Sequence, residues 1–318
     1  MSPLRVGLVG AGAMGRLHAQ TVLRAQACGL DCTLVGITDR HPGRAARLSD
    51  ELGLEPVESG ERLVERADVG IVAVPTGSHR EVASALLSDG LDLLVEKPLA
   101  ASVTEGQELV EQARRLGRIL QVGHVEWYNG AWREAARRVG RIRGIEVERS
   151  APRGERGLDI DVIQDLMLHD LDWVTRWVGE EGVGIRARGR CLVDDRLDEV
   201  EAHLTFRSGV QARLWASRAG GERRRVARFE GSDGVARADL VVRPGSVPAS
   251  EAAPDASVRV DPLTAQWRDF VRAVQERTEP INSGGVGVAA LTLVERVREA
   301  VDLDRLETKR DDDPRIGR

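Results

Sequence analysis

The sequence predicts an α/β chain, in which an N-terminal doubly wound parallel sheet is followed by an α+β part with an open, largely antiparallel sheet. Three observations carry that prediction. Over residues 1–123, short and nearly continuous apolar runs alternate with stretches of helical period, the order that builds a parallel sheet covered on both faces. Gly10, Gly12 and Gly15 follow directly on the first apolar run, where a helix is due to start. From residue 124 onward the pattern changes to alternating segments joined by short polar turns.

Taken in order, the apolar runs at 6–9, 34–37, 69–74, 93–95 and 119–122 are strands, and 14–27, 42–52, 79–88 and 103–116 between them are helices. After a stretch rich in arginine and glycine at 153–157, a helix is expected over 160–178. Strands follow at 201–206, 210–216, 226–230 and 236–241, with Ser208-Gly209 and Ser232-Asp233-Gly234 as hairpin turns. Residues 244–254 read as a surface loop, 263–275 and 288–301 as closing helices, and 303–318 as a mobile charged tail. The chain therefore divides into a doubly wound domain over 1–123, an α+β domain over 124–302 and the tail at 303–318.

The bulk numbers narrow the class. A chain of 318 residues holds two domains of ordinary size, and 42% hydrophobic with 31% charged residues is a globular composition. No apolar run approaches the ~20 residues that span a bilayer, and the N-terminus carries no charged-then-apolar leader, so a cytoplasmic location is expected. A net charge of −5 argues against nucleic-acid binding, which needs concentrated positive charge; the Arg223-Arg224-Arg225 cluster reads as a solvated strand edge or a subunit contact. Cys28, Cys32 and Cys191 offer neither a disulfide framework nor paired zinc spacing and are expected as buried thiols. No metal is expected.

Gly10-Ala11-Gly12-Ala13-Met14-Gly15 matches GxGxxG between a strand and a helix. Gly10 makes the tight turn, Gly12 admits a pyrophosphate, Gly15 lets the helix pack on the sheet, and the helix amides meet the phosphates. Asp39, closing the second strand, is placed to accept from both ribose hydroxyls of NAD and to repel a 2′-phosphate; Arg40 beside it would instead favour NADP, and Asp39 could equally cap the helix at Pro42. NAD is the cofactor expected, with NADP as the alternative. Pro75, Thr76 and His79 follow the third strand at the edge where ligands bind, although His79 could serve only as a cap.

Glu96-Lys97-Pro98 ends the fourth strand at the same edge. Lys97 is one of two lysines, beside Lys309, in a chain whose cations are otherwise arginine. An ammonium is a compact donor of tunable charge, whereas a guanidinium stays planar and charged, so Lys97 is a candidate for hydride or proton chemistry and Glu96 can set its charge. The third cluster runs from Asp165 to Asp172. On an α-helix Asp165, His169 and Asp172 share a face, which fits a proton shuttle; a salt-bridged surface helix and a metal site are the alternatives.

Together, the glycine fingerprint, Glu96-Lys97-Pro98 and Asp165 to Asp172 resemble the Gfo/Idh/MocA family of sugar and cyclitol oxidoreductases over nearly the whole chain. Gly123-His124-Val125-Glu126-Trp127-Tyr128-Asn129 is similar to a segment of a bacterial subgroup known as virulence-factor-like or nucleotide-sugar-associated, with Trp127 and Tyr128 in place of its Arg and Phe. The resemblance implies a Rossmann domain, an open-sheet second domain used for dimer or tetramer contacts, and hydride transfer between nicotinamide and a hydroxyl-bearing carbon. It implies that Lys97 holds the reacting oxygen, that His169 exchanges its proton and that Asp165 orients His169 or holds a neighbouring substrate hydroxyl, with Asp172 supporting that face. Many family patterns carry glycine where this chain has Met167. His124, Tyr128 and Arg153 are candidate substrate contacts; Trp127, Tyr128 and Trp132 form either a stacking wall for a sugar or simply core, and Arg149 and Arg153 are either phosphate or carboxylate contacts or surface charges. Two other activities have precedent in this fold: glycoside cleavage through transient oxidation, and a non-catalytic dinucleotide-binding regulator.

Overall fold

A computed structural model describes residues 2–54, 57, 60–152, 160–179, 182–193, 195–241 and 261–311. Arg153, its Arg-Gly stretch and the loop expected at 244–254 lie outside the described residues. The chain forms two compact units, Met1–Tyr128 with Pro262–Ala289, and Asn129–Asp261 with Ala290–Arg318.

The first unit holds β1 (Leu4–Val9), α1 (Ala13–Ala27), β2 (Cys32–Thr38), α2 (Pro42–Leu52), α3 (Gly60–Val64), β3 (Val69–Val72), α4 (His79–Ser88), β4 (Asp92–Val95), α5 (Val103–Arg115) and β5 (Leu120–Val122). All strand pairs are parallel, in the order β2-β1-β3-β4-β5. β3 and β4 are buried at every position, which is why they read as unbroken apolar runs: with helices on both faces, neither side of the strand meets water. α2 begins with Pro42 and stops at Gly53 in the left-handed conformation (φ 69°), the pairing of proline in the first turn and glycine beyond the last that punctuates helices.

The second unit begins with α6 (Gly130–Arg137) and β6 (Ile142–Pro152), then a π-helical turn at Ile163–Met167 running into α7 (Leu168–Val178). β7 (Gly182–Arg190), β8 (Glu199–Phe206), β9 (Gln211–Ser217), β10 (Ala219–Gly231) and β11 (Gly234–Asp239) complete a six-stranded sheet in the order β11-β10-β6-β9-β8-β7. β6 and β9 run parallel and every other pair is antiparallel, and both expected hairpins form, between β8 and β9 and between β10 and β11. The inward positions are apolar, among them Val147, Leu204, Leu214 and Phe229. Trp132 of α6 stacks on Trp173 of α7 at 4.8 Å and meets Trp177 edge-on at 4.9 Å. Trp132 is fully buried, so it is core and not a stacking wall for a sugar.

β6 and β7 were not expected from the sequence. In β6 the inward series Ile145, Val147 and Arg149 ends on an arginine with no exposed surface, which hides the period-two pattern. Arg186, Arg188 and Arg190 similarly dominate β7. The outward face carries charges paired across strands: Arg224 with Glu148 at 2.9 Å, Arg228 with Glu146 at 3.3 Å, and Arg213 with Glu201. Arg224, from the basic cluster, is thus one partner of a cross-strand pair.

α8 (Pro262–Glu276) and α9 (Gly284–Asp311) close the chain. The division read from sequence at residue 123 differs here, because α8 and the start of α9 return to the first unit. The apolar face of α8, with Trp267, Phe270, Val271 and Val274, joins Val6, Leu8, Leu34 and Ile37 in one core. The segment before α9 also covers β5, where Val122 N–H donates to Asn282 O at 2.8 Å and Gln121 bridges to Ser283. α9 continues to Asp311, into the stretch read as a tail. Of the cysteines, only Cys32 is buried; Cys28 is exposed and Cys191 partly so, which corrects the expectation of three buried thiols. Among the described residues, no helix is long and apolar enough to cross a membrane and no group of side chains is arranged to hold a metal ion.

Candidate active site

In the first sheet β1 lies between β2 and β3, and the chain leaves β1 towards β2 but leaves β3 towards β4, so the two connections run in opposite directions and open a crevice at the carboxyl ends of β1 and β3. The glycine loop sits at that edge. Gly10 has φ 106°, and a Cβ there would lie 2.4 Å from Ala73 O beyond β3. A Cβ on Gly15 would lie 1.8 Å from Gly10 O, so only glycine lets α1 pack on the loop. Gly12, the residue before α1, has nothing within 4 Å of where its Cβ would be. The first amides of α1, on Ala13, Met14 and Gly15, have no carbonyl partner within the helix and face an anion's natural position. Gly12→Ala is therefore expected to melt as the wild type does, because Gly12 has an ordinary φ of −74°, while its methyl takes up the space a pyrophosphate needs. Its NAD dissociation constant should rise about tenfold or more, or about 1.4 kcal/mol, as measured by calorimetric titration.

Asp39 serves the loop itself. Its Oδ2 accepts from Ala11 N–H at 2.8 Å and its Oδ1 from His41 N–H at 2.8 Å. The carboxylate clamps the fingerprint to the end of β2 and also shapes the entry to α2, and each oxygen retains a lone pair for a ribose hydroxyl. Arg40 is exposed.

Beyond β3, Pro75 leads into a single 3-10 turn at Thr76–Ser78, with Thr76 buried. His79 is also buried. Its Nδ1 lies 2.8 Å from Pro98 O and its Nε2 2.9 Å from Val74 O, so it ties the segment after β3 to the one after β4. Burial pushes its pKa down, against those two carbonyls. The ring sits between the two backbone carbonyls, and in its neutral form it donates to one of them, which makes His79 a strut between these segments.

Glu96 follows directly on β4 and is buried. Its Oε1 lies 2.7 Å from His18 Nε2, and its Oε2 accepts the N–H of Lys97 at 3.1 Å. A Cβ on Gly123 would lie 3.0 Å from the Glu96 carboxyl carbon, so the absence of that side chain makes room for the carboxylate. Burial raises the pKa of Glu96, but the hydrogen bond and charge of His18, with Lys97, outweigh it and hold the carboxyl below the usual carboxylate range. Lys97, half-buried and joined to Pro98 by a cis peptide bond, follows at the sheet edge. His18 was missed in the sequence; the signal was a histidine on the buried face of α1, four residues before Val22.

In the second unit, the helix bearing Asp165 and His169 is anchored at several points. Asp161 accepts from Gln164 N–H at 2.9 Å and from Arg298 at 2.7 Å, and Arg218 donates to Ile160 O at 2.8 Å. Asp170 accepts from Arg149 through both oxygens, each at 2.7 Å, and from Trp173 Nε1 at 3.1 Å. Arg149 is thus committed to a buried ion pair and not to a substrate anion. Asp172 is buried and pairs with Arg176 at 3.3 Å, which gives it an internal partner rather than a free face. His169 is 9% exposed, Asp165 half-buried and Met167 fully buried. The π turn changes the register expected for an α-helix: an i→i+5 turn holds more residues, so Asp165 advances less around the axis toward His169 than the α-helical spacing implies. His169 and Asp172, both on α7, keep their i, i+3 relation.

The segment after β5 is held by backbone and by one carboxylate. His124 is buried, and its carbonyl accepts from Asn282 Nδ2 at 2.9 Å. Tyr128 donates its hydroxyl to Asp269 at 2.8 Å, and Asp269 also accepts from Ile281 N–H at 3.0 Å and Arg272 at 2.6 Å. Tyr128 keeps a half-buried ring, as does Trp127.

Residues 4–124 match the model of an oxidoreductase family with an NAD-binding Rossmann fold. Over 95% of this chain and 98% of the relative, the sequence is 32% identical to UDP-N-acetylglucosamine 3-dehydrogenase of Acidithiobacillus ferrooxidans. The chain belongs to the Gfo/Idh/MocA family of oxidoreductases. A solved structure of that same dehydrogenase superposes with a TM-score of 0.81 at 31% identity, covering 95% of this chain and 99% of the other. Inositol 2-dehydrogenase of Rhizobium meliloti is 25% identical over 94% of this chain and 97% of its own. GenD2 from gentamicin A biosynthesis, solved with NAD, shares the fold with a TM-score of 0.81 at 20% identity, covering 95% of each chain.

In this Gfo/Idh/MocA oxidoreductase the first unit is the NAD-binding Rossmann domain. Its residues fit the cofactor: the open space at Gly12 and the free amides of α1 for the pyrophosphate, and Asp39 for the ribose. When bound, NAD supplies the hydride acceptor.

Proposed function

We propose that the chain is an NAD-dependent dehydrogenase of a nucleotide-linked sugar, oxidising one ring CH–OH to a ketone. The observation that carries this is Lys97, standing one residue past the buried Glu96 at the carboxyl edge of the sheet that bears the fingerprint. In this reading the Lys97 ammonium donates to the reacting oxygen and draws off electron density as the carbonyl forms. His169 takes the hydroxyl proton, and the carbon-bound hydrogen leaves as hydride. Asp165 orients the imidazole. Positioning of the C–H and O–H bonds is the main source of rate. The nucleotide-linked sugar class rests on the relative that is 32% identical over nearly full length. Asp39 favours NAD over NADP, because a carboxylate clamped beside the ribose repels a 2′-phosphate. The named relatives are dehydrogenases, which favours net hydride transfer over glycoside cleavage by transient oxidation and over a regulator without catalysis.

Mixing the protein with NAD and UDP-N-acetylglucosamine should build up reduced nicotinamide, followed by its absorbance, and myo-inositol should give far less. Equal or faster turnover of myo-inositol would overturn the nucleotide-sugar assignment. A homodimer or homotetramer through the outer sheet face is part of the same reading, supported by half-buried Trp215 among the paired charges of β6, β8 and β9; light scattering decides it. The cytoplasm, where NAD is plentiful, is the compartment proposed.

A further inference from the structure

We propose that His18 is a positioning residue for catalysis, acting through Glu96 to fix Lys97. The proposal rests on the role given to Lys97 above. His18 lies on the inner face of α1, 1% exposed, while Glu96 is 6% exposed. Both belong to the first unit, and they meet at 2.7 Å, 78 residues apart in sequence. A carboxylate buried without partners is costly, and a charge-assisted hydrogen bond is the strong kind of compensation. His18 supplies that bond to Oε1. This leaves Oε2 to accept the Lys97 N–H, which pins the backbone from which the catalytic ammonium extends.

The surroundings are built for this pair. Gly123 leaves no side chain above the carboxyl group, since even a methyl there would stand 3.0 Å from it. His79 braces the far side of Lys97 by joining Pro98 O to Val74 O. The lysine is thus held from both neighbours, by Glu96 before it and by Pro98 after it. α1 also carries Gly15 and the amides that receive the pyrophosphate, so one rigid helix sets the height of the cofactor and of the Glu96–Lys97 dipeptide together. A displacement of about 1 Å in a positioned group can cost on the order of a hundredfold in rate.

Two substitutions in the full-length chain separate positioning from packing. His18→Leu fills the volume but cannot donate, and His18→Gln retains an N–H near the position of Nε2. His18→Leu should bind NAD within about twofold of the wild type and lose roughly 10- to 100-fold in kcat on UDP-N-acetylglucosamine, with KM nearly unchanged. His18→Gln should recover most of that loss. If His18→Leu does not fold, Glu96→Gln, which keeps the shape and loses the charge, should show the same loss in kcat.

A second readout needs no turnover. Reductive methylation with labelled formaldehyde marks Lys97 and Lys309, the two lysines of the chain, and the N-terminal amine; Lys309→Arg separates the lysine resonances, and the α-amine is told apart by its lower pKa. His18→Leu should move the Lys97 methyl signal and His18→Gln should not. Wild-type kcat with an unmoved Lys97 signal in His18→Leu, or His18→Gln no better than His18→Leu, would overturn the proposal. If the wild type does not turn over UDP-N-acetylglucosamine, the substrate assignment fails, and the Lys97 signal alone then decides the role of His18.

Discussion

Lys97→Arg is expected to bind NAD as the wild type does and to lose about 10²- to 10⁴-fold in kcat, the range of a positioned proton or hydrogen-bond donor. The groups proposed to hold the cofactor are the glycine loop, the amides of α1 and Asp39, none of which the substitution touches. The charge is retained, so any loss is one of shape. A guanidinium is planar and wider than an ammonium and extends further from the backbone. The backbone at Lys97 cannot retreat to accommodate it, because Glu96 holds the N–H from one side and His79 holds Pro98 from the other. Calorimetric titration of NAD alongside steady-state kinetics with UDP-N-acetylglucosamine makes the check. Turnover near that of the wild type would remove Lys97 from the chemistry.

Arg149→Met should destabilise the second unit by about 3–5 kcal/mol, the cost of leaving one buried charge without its partner. Asp170 is 1% exposed and Arg149 fully buried, so water cannot replace either partner, and the two bonds at 2.7 Å are lost together. At about 2–4 °C per kcal/mol for a unit of this size, the melting temperature falls by roughly 6–20 °C. The double variant Arg149→Met with Asp170→Asn should recover most of it, because no charge is then buried and the Asn oxygen still accepts from Trp173 Nε1. A fall of less than about 1 kcal/mol in the single variant would show that the pair does not anchor α7. Since α7 carries His169, the single variant should also lose activity below its melting temperature.

How much of this was legible in the sequence depended on the range of the interactions involved. The strands of the first sheet were readable because burial on both faces leaves no polar position to interrupt them. The fingerprint was readable because each glycine answers a local steric demand, and the close approaches at Gly10 and Gly15 bear this out. β6 was not, because its arginine is stabilised by Asp170, a partner 21 residues away that no local pattern announces. The spacing read for Asp165, His169 and Asp172 assumed an α-helix throughout, whereas Ile163–Met167 forms a π turn that no local pattern announced. His79 and Trp132 carried plausible chemistry by residue type, yet one is engaged on two carbonyls and the other is core.

By itself, then, the sequence determined the fold class, the cofactor loop and the identity of Lys97 and His169 as the residues to test, since those follow from periodicity, backbone sterics and short motifs. Only the tertiary structure decided which charges are paired inside the fold. Glu96 with His18, Arg149 with Asp170 and Tyr128 with Asp269 join residues 78, 21 and 141 apart. The pairing energy of a buried charge depends on what the fold brings within about 3 Å of it, and that distance is not a property of the chain's order.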